Sequence, residues 1–312
     1  IPVWGTYITT PSVNEKFAKV NVRTKVVLPE GADPAKYSVE TSVWNPNKQK
    51  LTAVRTSLAQ MKYNNNQAEQ EFVIQAPSLW SPEMPALYSA ETRLYEGDKL
   101  KDIYTTPFGI RSIEIIPDKG FFLNGKRTVF KGVCNHHDLG PLGAAVNDAA
   151  IRRQIRILKD MGCNAIRTSH NMPAPELIRA CDEMGMMIMA ESFDEWNVAK
   201  CKNGYNLLFD EWAEKDLVNL LHNFRNNPSV VMWCIGNEVP NQWNEGDCKI
   251  AKWLQDICHR EDPTRPVTQG MDAPDAVVNN NFAAVMDVAG FNYRPFKYKI
   301  NYKKLPQRIV LG

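Results

Sequence analysis

Short segments between Lys16 and Tyr104 alternate apolar and polar residues with a period of two, the pattern of strands that bury one face. The clearest segments are 17–27, 37–43 and 68–74, and turn-forming residues separate them at 45–47 and 64–66. This pattern predicts a β-sandwich of about 90 residues. It has no cysteine, so no inter-sheet disulfide is expected.

After Gly120 short apolar runs alternate with longer amphipathic segments, which predicts βαβ units and a parallel sheet. The predicted strands are 129–133, 165–168, 186–190, 230–235, 266–269, 288–291 and 308–311. Three segments between them place apolar residues on one helix face: Ile151, Ile155, Leu158 and Met161, with Asn147 or Asp148 as N-cap; Leu217, Leu220, Leu221 and Phe224; and Ile250, Leu254 and Ile257. A (β/α)8 barrel and a doubly wound sheet both fit this alternation.

Polar residues at the strand ends favour the barrel. No glycine-rich phosphate loop follows the first predicted strand, which removes the usual reason to choose a dinucleotide-binding sheet. Polar clusters follow five strands, at 135–138, 167–170, 191–196, 236–238 and 292–294. In a (β/α)8 barrel these ends meet on the face that carries the active site. We therefore expect one pocket with carboxylates, histidines, an arginine and aromatic rings.

Such a set of side chains suits sugar chemistry, because polar groups bind hydroxyls, rings cover the apolar sugar face and carboxylates supply acid and nucleophile. Glu238 is the candidate general acid/base, since it follows a buried strand; the alternative is an ordinary glutamate in a turn. Arg167 is expected to hold a neighbouring carboxylate through a bidentate contact, or else to form a structural salt bridge.

The remaining candidates each have a structural alternative. His136 and His170 are predicted to donate to sugar hydroxyls, or to be structural histidines. Tyr293 is predicted to hydrogen-bond the nucleophile, or to be a core or rim tyrosine. Three residues after the third strand either contact substrate or only begin a helix: Asp194, Glu195 and Trp196.

Composition narrows the classes of partner. Hydrophobic residues make up 44% and charged residues 23%, which is ordinary for a globular protein. The net charge of +2 with no block of Lys or Arg gives no electrostatic footprint for nucleic acid or an anionic membrane. Seven cysteines lie beyond residue 130 without a CxxC pair, which predicts buried reduced thiols over a disulfide framework or zinc site: Cys134, Cys163, Cys181, Cys201, Cys234, Cys248 and Cys258.

The motifs, taken in order, resemble glycoside hydrolase family 2, the family of β-galactosidases, β-glucuronidases and β-mannosidases. They are residues 79–83 with Pro85, Leu87 and Tyr88; 108–111; Gly125-Lys126 with 131–133 and His136; 164–170; and 236–238. Each motif is weak alone, but their order and spacing together are specific. The resemblance covers essentially the whole chain.

The resemblance implies a multidomain β plus α/β protein. It places a linker from a missing jelly-roll domain at 1–11, an immunoglobulin-like β-sandwich at 12–110 and a (β/α)8 TIM barrel at 111–312. It implies Glu238 as acid/base and Asn237 as the residue that contacts the sugar 2-hydroxyl. Arg167, His136, His170 and Tyr293 line the sugar subsite, and Asp194 and Trp196 are kept as substrate-binding candidates.

The family's nucleophile is a Glu of a Ser-Glu pair after strand seven, and the chain ends with residues that would lead into it, 308–312. We therefore expect a barrel truncated at the end of strand seven, with little activity and with marginal stability or self-association. No cofactor is expected to be required. Some family members bind Mg²⁺ through a Glu and a His after strand three, but only Glu195 matches here, because Asn197 stands where the His would be.

The function expected of the parent enzyme is retaining hydrolysis of a β-linked glycoside or oligosaccharide by double displacement, with β-galactoside as the first choice of sugar. The alternatives are β-glucuronide or β-mannoside, a non-catalytic carbohydrate-binding fragment, and a metal-dependent hydrolase that uses His136, His137, Asp138 and Glu195. A homo-oligomer is compatible with the sequence, and the compartment stays open between cytoplasm and periplasm.

Overall fold

A computed structural model describes residues 1–59 and 67–312. It divides into two compact units, Ile1–Ser112 with Arg225–Pro228, and Ile113–Phe224 with Ser229–Gly312. The division falls after Ser112, against a predicted boundary after residue 110. The turn predicted at 64–66 lies outside the described residues.

The first unit is a sandwich of two antiparallel sheets. Its strands are β1 (Thr6–Val13), β2 (Phe17–Lys25), β3 (Tyr37–Trp44), β4 (Lys50–Ser57), β5 (Gln67–Gln75), β6 (Tyr88–Glu96) and β7 (Lys99–Phe108). They pair in the orders β1-β2-β5 and β4-β3-β6-β7. Alternate residues of β5 are buried, as the period of two predicted. Val20 and Phe72 of one sheet share a core with Val43 and Phe108 of the other.

The linker predicted at 1–11 is partly wrong. Residues from Thr6 onwards form β1, which pairs antiparallel with β2 from Thr6 opposite Thr24 to Val13 opposite Ala18. Tyr7 and Ile8 are buried, so this strand contributes to the sandwich rather than leading into it. The physical reason is that backbone pairing and two buried side chains stabilise the segment as an edge strand.

The second unit begins with a small antiparallel sheet, β8 (Ile113–Ile116), β9 (Gly120–Leu123) and β10 (Lys126–Arg127). Seven parallel strands follow, β11 (Gly132–His136), β12 (Ala165–Ser169), β13 (Met187–Glu191), β14 (Val230–Asn237), β15 (Val267–Met271), β16 (Val288–Phe291) and β17 (Val310–Leu311). Each pairs with the next in sequence, without the reversal of order that a doubly wound sheet requires. Within the described residues β11 and β17 are the two edges of this sheet. The order is that of a barrel.

The first barrel strand begins at Gly132, not at 129 as predicted. Val129 is 54% exposed, and the ring of Phe130 packs on Phe121 of β9 with centroids 4.7 Å apart. These residues therefore connect the small sheet to the barrel. The apolar character of Phe130, which suggested a strand, reflects its packing on that sheet, whereas Val129 is exposed.

Helices cover the outer face of the parallel sheet: α1 (Asp148–Asp160), α2 (Pro175–Met184), α3 (Phe209–Phe224), α4 (Cys248–Glu261), α5 (Pro274–Asn279) and α6 (Tyr298–Tyr302). Asn147 caps α1, because its side chain accepts the N–H of Ala150. Ile151 and Ile155 are buried as predicted, but Met161 is 69% exposed because it follows the helix end. Across the described ranges, no helix has the length and apolar character to cross a bilayer.

All seven cysteines are free, and the prediction that they are buried holds only for some of them. Cys181, Cys234 and Cys258 are buried, whereas Cys134 and Cys201 are exposed. Cys134 is exposed because it lies on the edge strand β11, and Cys201 because it lies in the loop between β13 and α3. An apolar neighbourhood in sequence did not reveal either position.

Candidate active site

Arg167 on β12 and Glu191 at the end of β13 form an ion pair. The guanidinium donates from Nε to Oε2 at 2.7 Å and from Nη2 to Oε1 at 2.9 Å, which confirms the predicted bidentate contact. Glu191 is fully buried, so its charge needs this partner. Gly270 of β15 makes room for the arginine, because a Cβ there would lie 2.5 Å from Nη2.

The Arg167–Glu191 pair is embedded in further polar contacts. His170 places Nδ1 3.2 Å from Oε1 of Glu191, and the Glu191 N–H donates to Thr168 Oγ1 at 2.9 Å. Burial alone would lower the pKa of the Arg167 guanidinium, but the surrounding groups, Glu191 among them, raise it. The arginine is therefore a fixed cation at the base of the site.

Two asparagines connect this pair to the end of β14. Asn237 Oδ1 accepts from Arg167 Nη2 at 3.0 Å and from Asn292 Nδ2 at 2.9 Å. Asn292 Oδ1 in turn accepts from Arg167 Nη1 at 3.2 Å. Because Asn237 is only 4% exposed and its oxygen has two donors, its amide is held in one orientation.

Glu238 follows directly and turns its side chain into the site. Its backbone is in the left-handed region with a φ of 43°, and its N–H donates to the carbonyl of Gly270 at 2.7 Å. Oε1 accepts from Asn292 Nδ2 at 2.7 Å. The hydrogen bond from Tyr293 to Glu238 raises the pKa of the tyrosine hydroxyl above its usual value. Tyr293 thus interacts with the acid/base candidate, and its predicted hydrogen bond to the nucleophile stays a prediction.

Several of these groups line a cavity of about 490 Å³ inside the parallel sheet. Its polar wall contains His136 and His170, whose rings meet edge to face with centroids 5.2 Å apart. The polar lining also includes Arg167, Glu238, Asn292 and Tyr293, and the apolar lining includes Phe130, Met189, Met232 and Leu311. Such a mixture of apolar walls and a few convergent polar groups is typical of a small-molecule site.

Trp196 lies apart from this cavity, contrary to its selection as a substrate-binding residue. It is fully buried, stacks on Phe282 with centroids 5.9 Å apart, and donates its indole N–H to the carbonyl of Ile235 at 2.8 Å. Its apolar ring and its single donor are both satisfied by the core. Asp194 is linked to the site through Asn237, because Asp194 Oδ1 accepts a hydrogen bond from Asn237 Nδ2 at 3.2 Å.

The residues after β13 do not fit a divalent metal ion. The two oxygens of Glu195 accept the backbone N–H groups of Lys200 and Asn206, at 2.6 and 2.9 Å. Asn197 Oδ1 accepts from Asn241 at 2.9 Å. The oxygens that a cation would need are therefore engaged in shaping the loop. Nor does the described part of the chain bring three or more His, Cys, Asp or Glu side chains into a metal-binding group.

The residues considered for a metal-dependent hydrolase do not form a metal-binding group in the described part of the chain either. His137 Nε2 lies 2.9 Å from the carbonyl of Ala144, and Asp138 Oδ1 accepts the N–H of Gly140. Both side chains thus shape their own loop.

Sequence reasoning did not select Glu191, Asn292 or Lys200. Glu191 and Asn292 begin polar clusters at strand ends, and that position was the available signal. Lys200 carried none, because it lies in a polar loop.

Comparison with known protein families gives a match in both units of the chain. A family model described as "Glycosyl hydrolases family 2, TIM barrel domain" matches residues 114–304, and one described as "Glycosyl hydrolases family 2" matches residues 3–111. Beta-galactosidase BoGH2A of Bacteroides ovatus is 39% identical over 93% of this chain, and a beta-glucuronidase of Bacteroides fragilis is 30% identical over 85%.

Among solved structures, a glycosyl hydrolase family 2 member from Bacteroides cellulosilyticus matches 99% of the chain with a TM-score of 0.88 and 36% identity. The chain covers 38% of each of the two relatives named above and 40% of this solved chain, so it spans about two fifths of their length. With both family models matched along the two units, the chain belongs to glycoside hydrolase family 2.

Proposed function

We propose that the protein containing this chain is a retaining β-glycoside hydrolase in which Glu238 is the general acid/base. The observation that carries the proposal is the contact set around Glu238: a carboxylate at a strand end, held by Asn292 and Tyr293, facing a cavity of about 490 Å³. A fixed carboxyl group in a mostly apolar pocket is suited to exchanging a proton with a glycosidic oxygen.

In this mechanism Glu238 protonates the leaving oxygen while a carboxylate nucleophile attacks the anomeric carbon. Glu238 then removes a proton from the water that hydrolyses the glycosyl-enzyme, so that the configuration is retained. Retention requires the two carboxyl groups to lie about 5 to 5.5 Å apart. We propose that the nucleophile comes from the segment that follows β17, so that residues 1–312 alone hydrolyse glycosides poorly.

Asn237 is assigned to the sugar 2-hydroxyl. Its Oδ1 already accepts from Arg167 and Asn292, and one hydrogen of Nδ2 goes to Asp194. The second Nδ2 hydrogen is thus the group that it can offer to a hydroxyl. Hydrogen bonds to this hydroxyl strengthen in the transition state of glycoside hydrolysis. His136, His170, Arg167 and Tyr293 complete the proposed subsite.

The preferred sugar is proposed to be a β-galactoside, with β-glucuronide and β-mannoside as alternatives. The support is the beta-galactosidase named above, which is more similar in sequence than the beta-glucuronidase. We further propose that the reaction needs no metal ion, because Glu195 and Asn197 are engaged in loop contacts.

The sandwich is proposed to be immunoglobulin-like. Among residues 1–59 and 67–112, seven antiparallel strands divide into sheets of three and four, with β1, β2 and β5 in one and the rest in the other. Two antiparallel sheets between which the chain crosses after β2, β4 and β5 support this proposal.

Hydrolysis of nitrophenyl β-galactoside, β-glucuronide and β-mannoside by the full-length protein tests the proposal. Wild type is expected to hydrolyse one of them, and Glu238→Gln to lose most of that activity. Glu245→Gln is the matched control, because Glu245 is an exposed glutamate in the next loop. Saturable sugar binding without turnover would instead favour a carbohydrate-binding protein.

A further inference from the structure

The loop after β13 is built around a buried carboxylate. Glu195 is 3% exposed and accepts the backbone N–H groups of Lys200 and Asn206. Gly204 closes against it, and a Cβ at this position would overlap the Glu195 carboxylate. The loop conformation is therefore fixed by one side chain, and it determines where the Lys200 backbone stands.

From that position the Lys200 side chain reaches back to the active site. Its Nζ lies 2.7 Å from the backbone carbonyl of Asn237 and 2.9 Å from Oδ1 of Asp194. The side chain is 24% exposed, so the ammonium is partly shielded from solvent. Charge-assisted hydrogen bonds of this kind are stronger than neutral ones.

These two contacts restrain both the main chain and the side chain of Asn237. The ammonium binds the Asn237 carbonyl directly, and it binds the same Asp194 oxygen that accepts from Asn237 Nδ2. Main chain and side-chain amide of Asn237 are thus tied to one cation. Movement of Lys200 would free the Asn237 carbonyl and would leave the Asp194 carboxylate, which accepts from Asn237 Nδ2, without this cation.

The Asn237 carbonyl belongs to the peptide unit that joins Asn237 to Glu238. Lys200 holds its oxygen, and Gly270 accepts its N–H at 2.7 Å. Glu238 adopts a φ of 43°, a left-handed conformation that a non-glycine residue keeps only when its surroundings hold it. Lys200 and Gly270 hold the two ends of this peptide unit and supply that restraint.

We propose that Lys200 is a positioning residue for the hydrolysis proposed above. It holds the Asn237–Glu238 peptide unit and the Asn237 amide, so that Asn237 meets the sugar 2-hydroxyl and Glu238 meets the glycosidic oxygen. The inference rests on the proposed function. It assigns no contact between Lys200 and the substrate.

The test compares Lys200→Met with Lys202→Met in the full-length protein, because Lys202 is an exposed lysine of the same loop. The readout is kcat/KM for a nitrophenyl β-glycoside and for its 2-deoxy analogue. Lys200→Met is expected to lose roughly 10- to 100-fold on the parent glycoside, since small misplacements of catalytic groups have effects of this size. The loss on the 2-deoxy glycoside is expected to be clearly smaller, because that substrate has no hydroxyl for Asn237.

Equal losses on both substrates would overturn the proposal, as would a Lys200→Met variant that behaves like Lys202→Met. If Lys200→Met does not fold, Lys200→Gln decides, because it removes the ammonium charge and keeps a polar side chain. It is expected to narrow the ratio of kcat/KM between the parent and the 2-deoxy glycoside in the same direction. Wild type that hydrolyses no β-glycoside would overturn the proposed function and this inference together. If wild type is active and the Lys200 variants leave the ratio of kcat/KM between the parent and the 2-deoxy glycoside unchanged, only the inference is overturned.

Discussion

Asn292 donates both hydrogens of its amide to neighbouring residues, placing Nδ2 2.7 Å from Oε1 of Glu238 and 2.9 Å from Oδ1 of Asn237. Its own Oδ1 accepts from Arg167. One side chain from β16's carboxyl end therefore sets the distance between the proposed acid/base, the proposed 2-hydroxyl ligand and the buried arginine.

Asn292→Ala is expected to lower kcat/KM of the full-length protein roughly 10- to 100-fold, because Glu238 loses the donor that orients it. Asn279→Ala is the control, since Asn279 is exposed at the end of α5. Steady-state kinetics on a nitrophenyl glycoside measures both. Equal activity in the two variants would contradict a role for Asn292.

Arg167→Met is expected to destabilise the barrel, because it leaves the fully buried Glu191 without its cation. Breaking a buried ion pair costs about 3–5 kcal/mol. For a domain of this size that lowers Tm by roughly 6–20 °C. Calorimetry of the full-length protein gives the barrel transition. Arg153→Met, at an exposed position on α1, should leave it nearly unchanged, and similar melting of the two variants would contradict the account.

His259 predicts a pH-dependent contribution to stability. The hydrogen bond to Asp287 raises the pKa of His259, against desolvation by burial, with Asp256 adding to the rise and Lys252 opposing it. Because the folded pKa is raised, the stabilisation is fully present below the ordinary value near 6.5 and is lost as the pH rises through the folded value. The contribution stays below about 1 kcal/mol, since the imidazole side chain is 41% exposed.

His259→Gln should therefore lower Tm at pH 5.5 and have little effect at pH 9. Thermal scans of wild type and variant at the two pH values measure the difference. A larger loss of Tm at pH 9 than at pH 5.5 would be opposite to the predicted pH dependence. It would exclude the His259–Asp287 pair as the source of the effect.

The cysteines should differ in reactivity. Burial raises the pKa of Cys234 to about 12 and those of Cys181 and Cys258 well above the usual value, so these thiols stay neutral and enclosed. In residues 1–312, Cys134 and Cys201 are exposed and should react first with iodoacetamide at pH 8. Peptide mass spectrometry over time gives the order. Early labelling of Cys234 would contradict the packing inside the sheet.

The sequence predicted the parallel strands and most helix faces, because period and apolar runs report burial directly. It placed Glu238 and Arg167 in the site because strand ends in a barrel converge. It failed for Trp196, since a tryptophan N–H is satisfied equally by a backbone carbonyl or by a ligand, and the pattern does not say which. Lys200 was missed because its partners, Asp194 and the Asn237 carbonyl, are joined to it only by a loop without periodicity.

The most direct test of the account is the leaving-group dependence of Glu238→Gln in the full-length protein. A phenyl β-glycoside needs its oxygen protonated as it departs, whereas a dinitrophenyl glycoside does not. Glu238→Gln is therefore predicted to lower kcat/KM for the phenyl substrate by about 10²- to 10⁴-fold and to change it much less for the dinitrophenyl substrate. Equal losses on both substrates, or none, would contradict Glu238 as the general acid.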